Sequence, residues 1–249
     1  MTTRRTSRPG RPVSPPRPDD PRPAPDLPSR GETLSAALLY ADLGWHVFPL
    51  RPEDGRPALH DGWEQCATVD PDQIVDCWSG PTSYGLGIAT GPSRLVVIDF
   101  GVPHGPPTDP DGDPSAEPSG AGNLLALACR LGEEIPATFT VWTGCGGLHL
   151  YYTHPFDGPV LRNTTGLIAP HVDSSAHGGY VVAAPSVVAG HPFVIVDPQL
   201  PVPLPSWLRD RLISPPGPEG TPVRGPLGTT GEGDVRRPSG GSSSGRRGS

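Results

Sequence analysis

The chain has 249 residues, with 37 prolines, 33 glycines, 19 arginines, no lysine and a formal net charge of −7. Residues 1–30 carry seven Arg against three Asp and residues 213–249 five Arg against three acids, so residues 31–212 hold seven Arg against twenty Asp and Glu, a net −13. Such a core argues against a protein whose main task is gripping phosphates, an affinity that comes from basic groups and counterion release, and no apolar run reaches the ~18 residues of a membrane span.

Residues 1–30 contain nine prolines and almost no apolar periodicity, and residues 213–249 are dominated by Gly, Pro, Ser and Arg. Neither segment buries enough apolar surface to offset the entropy of ordering a chain, so both are expected to be disordered tails around a single domain, 31–212. Within that domain Thr33 is placed to cap a helix running to about Leu43, with Leu34, Ala37, Leu38 and Ala41 on one face and Gly44 at its end. Residues 45–50 read as a short buried strand and Gly55-Arg56-Pro57 as a turn. Asp70-Pro71 marks a second helix, an N-cap followed by proline in the first turn, with Ile74, Cys77 and Trp78 on its apolar side.

Residues 84–90 and 94–100 read as strands, the second nearly all aliphatic and so expected near the centre of a sheet. A loop rich in Pro, Gly and Asp fills 101–120, and a helix from about Asn123 to Leu131 closes on Gly132. Residues 139–143 and 148–153 flank Gly144-Cys145-Gly146-Gly147 as the arms of a hairpin. Further strands are expected at 171–173, 179–184 and 193–196, and a last helix at 205–212. Strands mixed with hairpins and few helices give an α+β class. The four cysteines (Cys66, Cys77, Cys129 and Cys145) form no C-x-x-C pair, so they read as reduced, partly buried thiols and not as a zinc ribbon. Arg4-Arg5 precedes no apolar stretch, so no secretory signal is read and the expected location is cytoplasmic.

Three short features carry the chemistry. Leu95-Val96-Val97-Ile98-Asp99 is an aliphatic strand ending in a carboxylate. Gly146-Gly147-Leu148-His149-Leu150-Tyr151 is a glycine turn leading into a strand with a histidine. His171-Val172-Asp173 is followed by Gly178-Gly179-Tyr180-Val181-Val182-Ala183-Ala184-Pro185-Ser186. Each also admits a plainer role: Asp99 as a turn cap, His149 as a core histidine, Asp173 as the partner of Arg162.

The order of these features resembles the N-terminal prim-pol domain of bifunctional DNA primase/polymerases, within the archaeo-eukaryotic primase superfamily. The opening helix and strand, the basic turn Gly55-Arg56-Pro57-Ala58, the run 84–91 and Leu161-Arg162-Asn163 agree with it. The resemblance implies a primase-like core around an RRM-like sheet with an extra N-terminal αβ unit. It also implies Mg²⁺- or Mn²⁺-dependent nucleotidyl transfer from nucleoside triphosphates on a DNA template. Carried over, Asp99 and Asp173 would be metal ligands and, with His149, the catalytic set; Arg56, Gly146, Gly147, His149 and Arg162 would bind nucleotide. The chain has no room for the helicase domain that often accompanies the module, so a helicase or replication protein would be a separate partner.

Two departures stand at the chemistry. The family strand ends in D-x-D, whereas here Asp99 is followed by Phe100 and Gly101. The arginine and acid expected after the third-motif aspartate are replaced by Ser174, Ser175, Ala176 and His177. Asp109, Asp111 and Asp113 in the following loop offer a substitute carboxylate, or a solvated acidic loop. The competing expectation is therefore a catalytically silent prim-pol-fold protein that binds a nucleotide, a nucleic acid or another protein.

Overall fold

In the computed structural model, which describes residues 28–58, 62–101, 119–155 and 157–213, the first helix begins on Ser29 and not on Thr33. The Ser29 hydroxyl accepts from the Glu32 N–H at 3.2 Å, and the Glu32 carboxylate accepts from the Ser29 N–H at 2.7 Å. This reciprocal box satisfies two of the donors that a helix start leaves open. Helix α1 therefore spans Arg30–Asp42, with Thr33 buried inside it. Tyr40 stacks on Trp45 at 5.3 Å and fixes the exit from the helix.

Strand β1 (Val47–Leu50) leads into a short helix, α2 (Trp63–Cys66), that the sequence reading did not anticipate. Helix α3 (Pro71–Trp78) starts on Asp70 as expected, the carboxylate accepting from the Asp72 N–H at 2.9 Å. Strand β2 (Gly85–Ala89) pairs antiparallel with β1. Gly87 is required there, because a Cβ would stand 2.6 Å from the Phe48 ring. The main sheet is built on β3 (Leu95–Phe100), followed by α4 (Gly120–Leu131), β4 (Thr140–Thr143), β5 (Leu148–Thr153), β6 (Thr164–Ala169) and β7 (Val172–Ser175). Helix α4 starts three residues earlier than expected, on a Ser119 cap, and ends on left-handed Gly132 as read.

The next strand, β8 (Tyr180–Val182), does not join its neighbours in sequence. It crosses to β2 and completes a three-stranded sheet, β1-β2-β8. The expected N-terminal αβ unit is thus finished by residues about a hundred positions downstream. Strands β9 (Val187–Val188), β10 (His191–Asp197) and β11 (Val202–Pro203) and helix α5 (Ser206–Leu212) complete the fold. The large sheet runs β6-β7-β3-β5-β4-β10-β9, with β11 parallel beside β5. The class is α+β, and β3 is central, buried on both faces.

Side chains alternate across β3. Val96, Ile98 and Phe100 pack under α4 and α5 with Leu124, Leu127 and Leu208. Leu95 and Val97 face the other way, into a core shared with α1, α3 and the small sheet. The third residue on that second face is Asp99, whose side chain is 40% exposed. Burial thus stops one step short of the carboxylate. The tails 1–27 and 214–249 and the aspartates of the 102–118 loop lie outside the described residues.

The cysteine expectation needs correcting. All four thiols are free, but Cys66, Cys129 and Cys145 are exposed and only Cys77 is partly buried, its thiol pushed up to about 11 by burial. No described helix is long and apolar enough to cross a membrane.

Replacing Ser29 by alanine removes one half of the capping box. It is expected to cost about 1 kcal/mol in a urea unfolding titration; unchanged stability would contradict this account of the helix start.

Candidate active site

Three neighbouring strands deliver the three singled-out side chains to one row. In the register of β3 with β7, Asp99 stands opposite Asp173. In the register of β3 with β5, Asp99 stands opposite His149. Directly opposed residues of antiparallel strands share a face, with Cβ atoms about 4.5–5.5 Å apart. The order across the sheet is Asp173, Asp99, His149, and His149 is opposed in turn by buried Val141 of β4.

The three members differ in how they are held. The His149 Nε2 lies 3.7 Å from Asp99 Oδ1, and the ring is only 6% exposed. Tyr151 and Phe193 flank it at 6.3 and 5.8 Å between ring centroids. Among the described residues its buried Nδ1 has no hydrogen-bond partner, so packing fixes the imidazole. Asp173 is held by its backbone neighbour: Oδ1 accepts from the Gly166 N–H at 2.8 Å. Gly166 has φ of +63° in an irregular stretch of β6 where the pairing with β7 slips register. A bulge of this kind re-aims a donor that a regular ladder would have used elsewhere.

The Asp173 carboxyl sits above the usual carboxylate range. Burial is the largest cause and the neighbouring Asp99 adds to it, while the Gly166 N–H and His171 pull the other way. No arginine pairs with Asp99 or Asp173 among the described residues. The row is therefore a small concentration of negative charge, half sheltered from water.

The other expected nucleotide contacts are placed differently. Arg56 is exposed beyond the end of β1, with Nε 3.7 Å from Asp54 Oδ2, and no described contact joins it to the carboxylate row. Arg162 is exposed and bridges His177 through its backbone; among the described residues it forms no ion pair with Asp173. Gly146 has φ of +94° and turns the β4–β5 hairpin. Gly147 is explained by packing: a Cβ would lie 2.4 Å from the Phe100 carbonyl and 2.8 Å from Thr143 Oγ1. That contact presses the hairpin turn against the end of β3, next to Asp99. Tyr151, Phe193 and Gly166 were missed as supports of the row. The same-face spacing of His149 and Tyr151 was the one available signal, because a bulge and a long-range ring contact leave no local pattern.

Gly101 occupies the position of the absent second carboxylate. Its N–H donates to the His171 carbonyl at 3.0 Å. A Cβ built there would meet nothing closer, among the described residues, than that same oxygen at 3.8 Å. Among the described residues no group of three or more His, Cys, Asp and Glu is arranged to hold an ion.

The raised Asp173 carboxyl makes a prediction with a definite sign. The fold favours its protonated form, so this contribution to stability is present below the unfolded value and is lost as pH rises through the folded one. Asp173→Asn keeps an oxygen for Gly166 and removes the charge. It is expected to raise Tm near about pH 7.5, with the gain shrinking towards about pH 4; a lower Tm at neutral pH would contradict the charge account. Gly147→Ala is expected to cost about 1–3 kcal/mol by overpacking against backbone, read by the same thermal melts.

No curated protein matches the chain. The sequence profile described as "Bifunctional DNA primase/polymerase, N-terminal" matches residues 37–207, which take in α1 from Ala37 through the start of α5, with all three members of the row. The match covers most of the chain, and the chain belongs to the family of bifunctional DNA primase/polymerase N-terminal domains.

Proposed function

We propose that the row Asp173–Asp99–His149 serves metal-dependent nucleotidyl transfer, adding nucleotides from triphosphates on a DNA template. The observation that carries the reading is the register itself, which brings two carboxylates and an imidazole from three strands to one open end of a sheet face. Two neighbouring carboxylates with no arginine partner among the described residues fit a hard divalent cation. Mg²⁺ in particular is commonly held by one or two carboxylates, with water and substrate phosphate completing its shell. Asp99 and Asp173 would hold the ion. When bound, Mg²⁺ or Mn²⁺ supplies charge neutralisation at the attacking and leaving oxygens of phosphoryl transfer.

The protein's own residues divide the remaining work. Gly166 keeps one oxygen of Asp173 engaged, so its other oxygen is the one presented. His149, locked between Tyr151 and Phe193, offers Nε2 beside Asp99 as a contact for the triphosphate. The packed hairpin turn at Gly147 holds the ends of β3 and β5 together, which preserves the spacing of the row. Positioning of this kind is a large part of catalysis in phosphoryl transfer.

Gly101 favours a second reading, binding of a nucleotide without turnover. One carboxylate fewer leaves a pair of divalent cations under-compensated. Primer extension with labelled dNTPs and Mn²⁺ separates the two. The transfer reading expects product that Asp99→Ala reduces by at least about a hundredfold. It also expects Gly101→Asp, which would restore the second carboxylate of the D-x-D pattern, to raise the rate. Saturable dNTP binding by calorimetry with no product from either protein would select the binding reading.

A further inference from the structure

A separate cavity lies at the other end of β3. It has a volume of about 320 Å³ and is walled by Trp63 and Glu64 of α2, by Gly91-Pro92 after β2, and by His177, Gly178 and Gly179 before β8. In the register of β3 with β7 Asp99 faces Asp173 and Val97 faces Ser175, so His177 and the cavity lie towards the start of β3, away from the carboxylate row.

Its walls differ in chemistry. Trp63 is half-buried and braced by Phe48 at 4.8 Å and Tyr180 at 5.1 Å between ring centroids, so its indole is a fixed surface. The rest of the wall is the glycine turn Gly178-Gly179 with Gly91, and His177, Pro92 and Ala89 beside it. Gly178 has φ of +80°, and a Cβ there would point into open space, meeting only Glu64 Oε1 at 4.0 Å. Gly91 packs behind it, where a Cβ would lie 3.4 Å from the Gly178 nitrogen. Glu64 is exposed and has no hydrogen-bond or ion-pair partner among the described residues. A cavity lined by an indole and a glycine turn suits a flat ring, and stacking of a base on an aromatic side chain tolerates any sequence context.

The carboxylate then selects among flat rings. It accepts hydrogen bonds only, so it favours an edge with two adjacent donors. Guanine presents such an edge at N1–H and N2–H. Adenine, cytosine and uracil or thymine each place an acceptor beside their donor, which the carboxylate repels. The net −13 of residues 31–212 argues against phosphate as the main source of affinity here.

We propose that this cavity binds an unpaired guanine base, stacked against Trp63 and held at its edge by Glu64. The proposal does not depend on nucleotidyl transfer at Asp99. The same base chemistry could be supplied by a free nucleoside or by a single strand.

The test is calorimetric titration of the full chain in EDTA, which removes divalent ions from the carboxylate row. The ligands are guanosine, adenosine, and thymine oligonucleotides with and without one central guanine. Guanosine, or the guanine-bearing oligonucleotide, is expected to bind at least about tenfold more tightly than its control, the range of one two-point base contact. Glu64→Gln is expected to erase most of that preference, Trp63→Phe to weaken all binding, and Asp99→Asn to change neither. Equal affinity for guanosine and oligonucleotide assigns the site to a free nucleoside, and tighter oligonucleotide binding assigns it to a strand; both support the proposal. Absence of guanine-dependent binding, a preference unchanged in Glu64→Gln, or binding lost in Asp99→Asn would overturn it. Glu64 is a surface residue, so that variant keeps the test decisive even where a change at Trp63 disturbs folding.

Discussion

The functional row depends on backbone register. Asp99 is opposed by Asp173 on one side and His149 on the other, and these pairings are set by the ladders of β3 with β7 and β5. Because side chains alternate with a period of two, a slip of one residue in either ladder would turn a member of the row to the opposite face, under α4 and α5. The hydrophobic pattern prevents that slip. Val96, Ile98 and Phe100 fill one core while Leu95 and Val97 fill the other, so β3 has a single register that buries both sets. The aliphatic residues thereby specify where the charged ones stand.

The same arrangement carries a local cost. Asp173 is half-buried beside another carboxylate, and both burial and Asp99 raise its carboxyl above the usual range. A site that holds like charges together spends stability to do so, and on the proposed reading a bound cation would offset that cost. The loss of a third carboxylate at Gly101 lowers this strain and also lowers the attraction for a cation. Among the described residues a Cβ at 101 would meet nothing closer than 3.8 Å.

Much of this was legible in the sequence. The aliphatic run before Asp99 identified a central strand because only a strand buried on both faces reads as continuous Val, Leu and Ile. The Asp70-Pro71 start and the Gly132 stop were readable because caps act within one turn. Asp99, His149 and Asp173 could be singled out by motif order, although their apposition needed the registers. What escaped was either long-range or disguised. The crossing of β8 to β2 leaves no local trace, nor does the bulge that aims Gly166 at Asp173. The Ser29–Glu32 box lies at the edge of a Pro/Arg-rich stretch that masked it. Gly147 looked like a phosphate-facing glycine, but close approach to the Phe100 carbonyl gives it an immediate packing reason. Arg56 and Arg162 were named by motif position alone, and their side chains are exposed with no described contact to the row.

On the proposed reading, Asp99 and Asp173 converge to hold a divalent cation. A crystal soaked with Mn²⁺ and a nucleoside triphosphate tests it most directly through the anomalous signal of manganese. The account requires a peak within coordination distance of both carboxylates, absent from crystals of Asp99→Asn. A fully ordered row with no manganese between the two side chains, at a concentration that saturates other carboxylate sites, would contradict it.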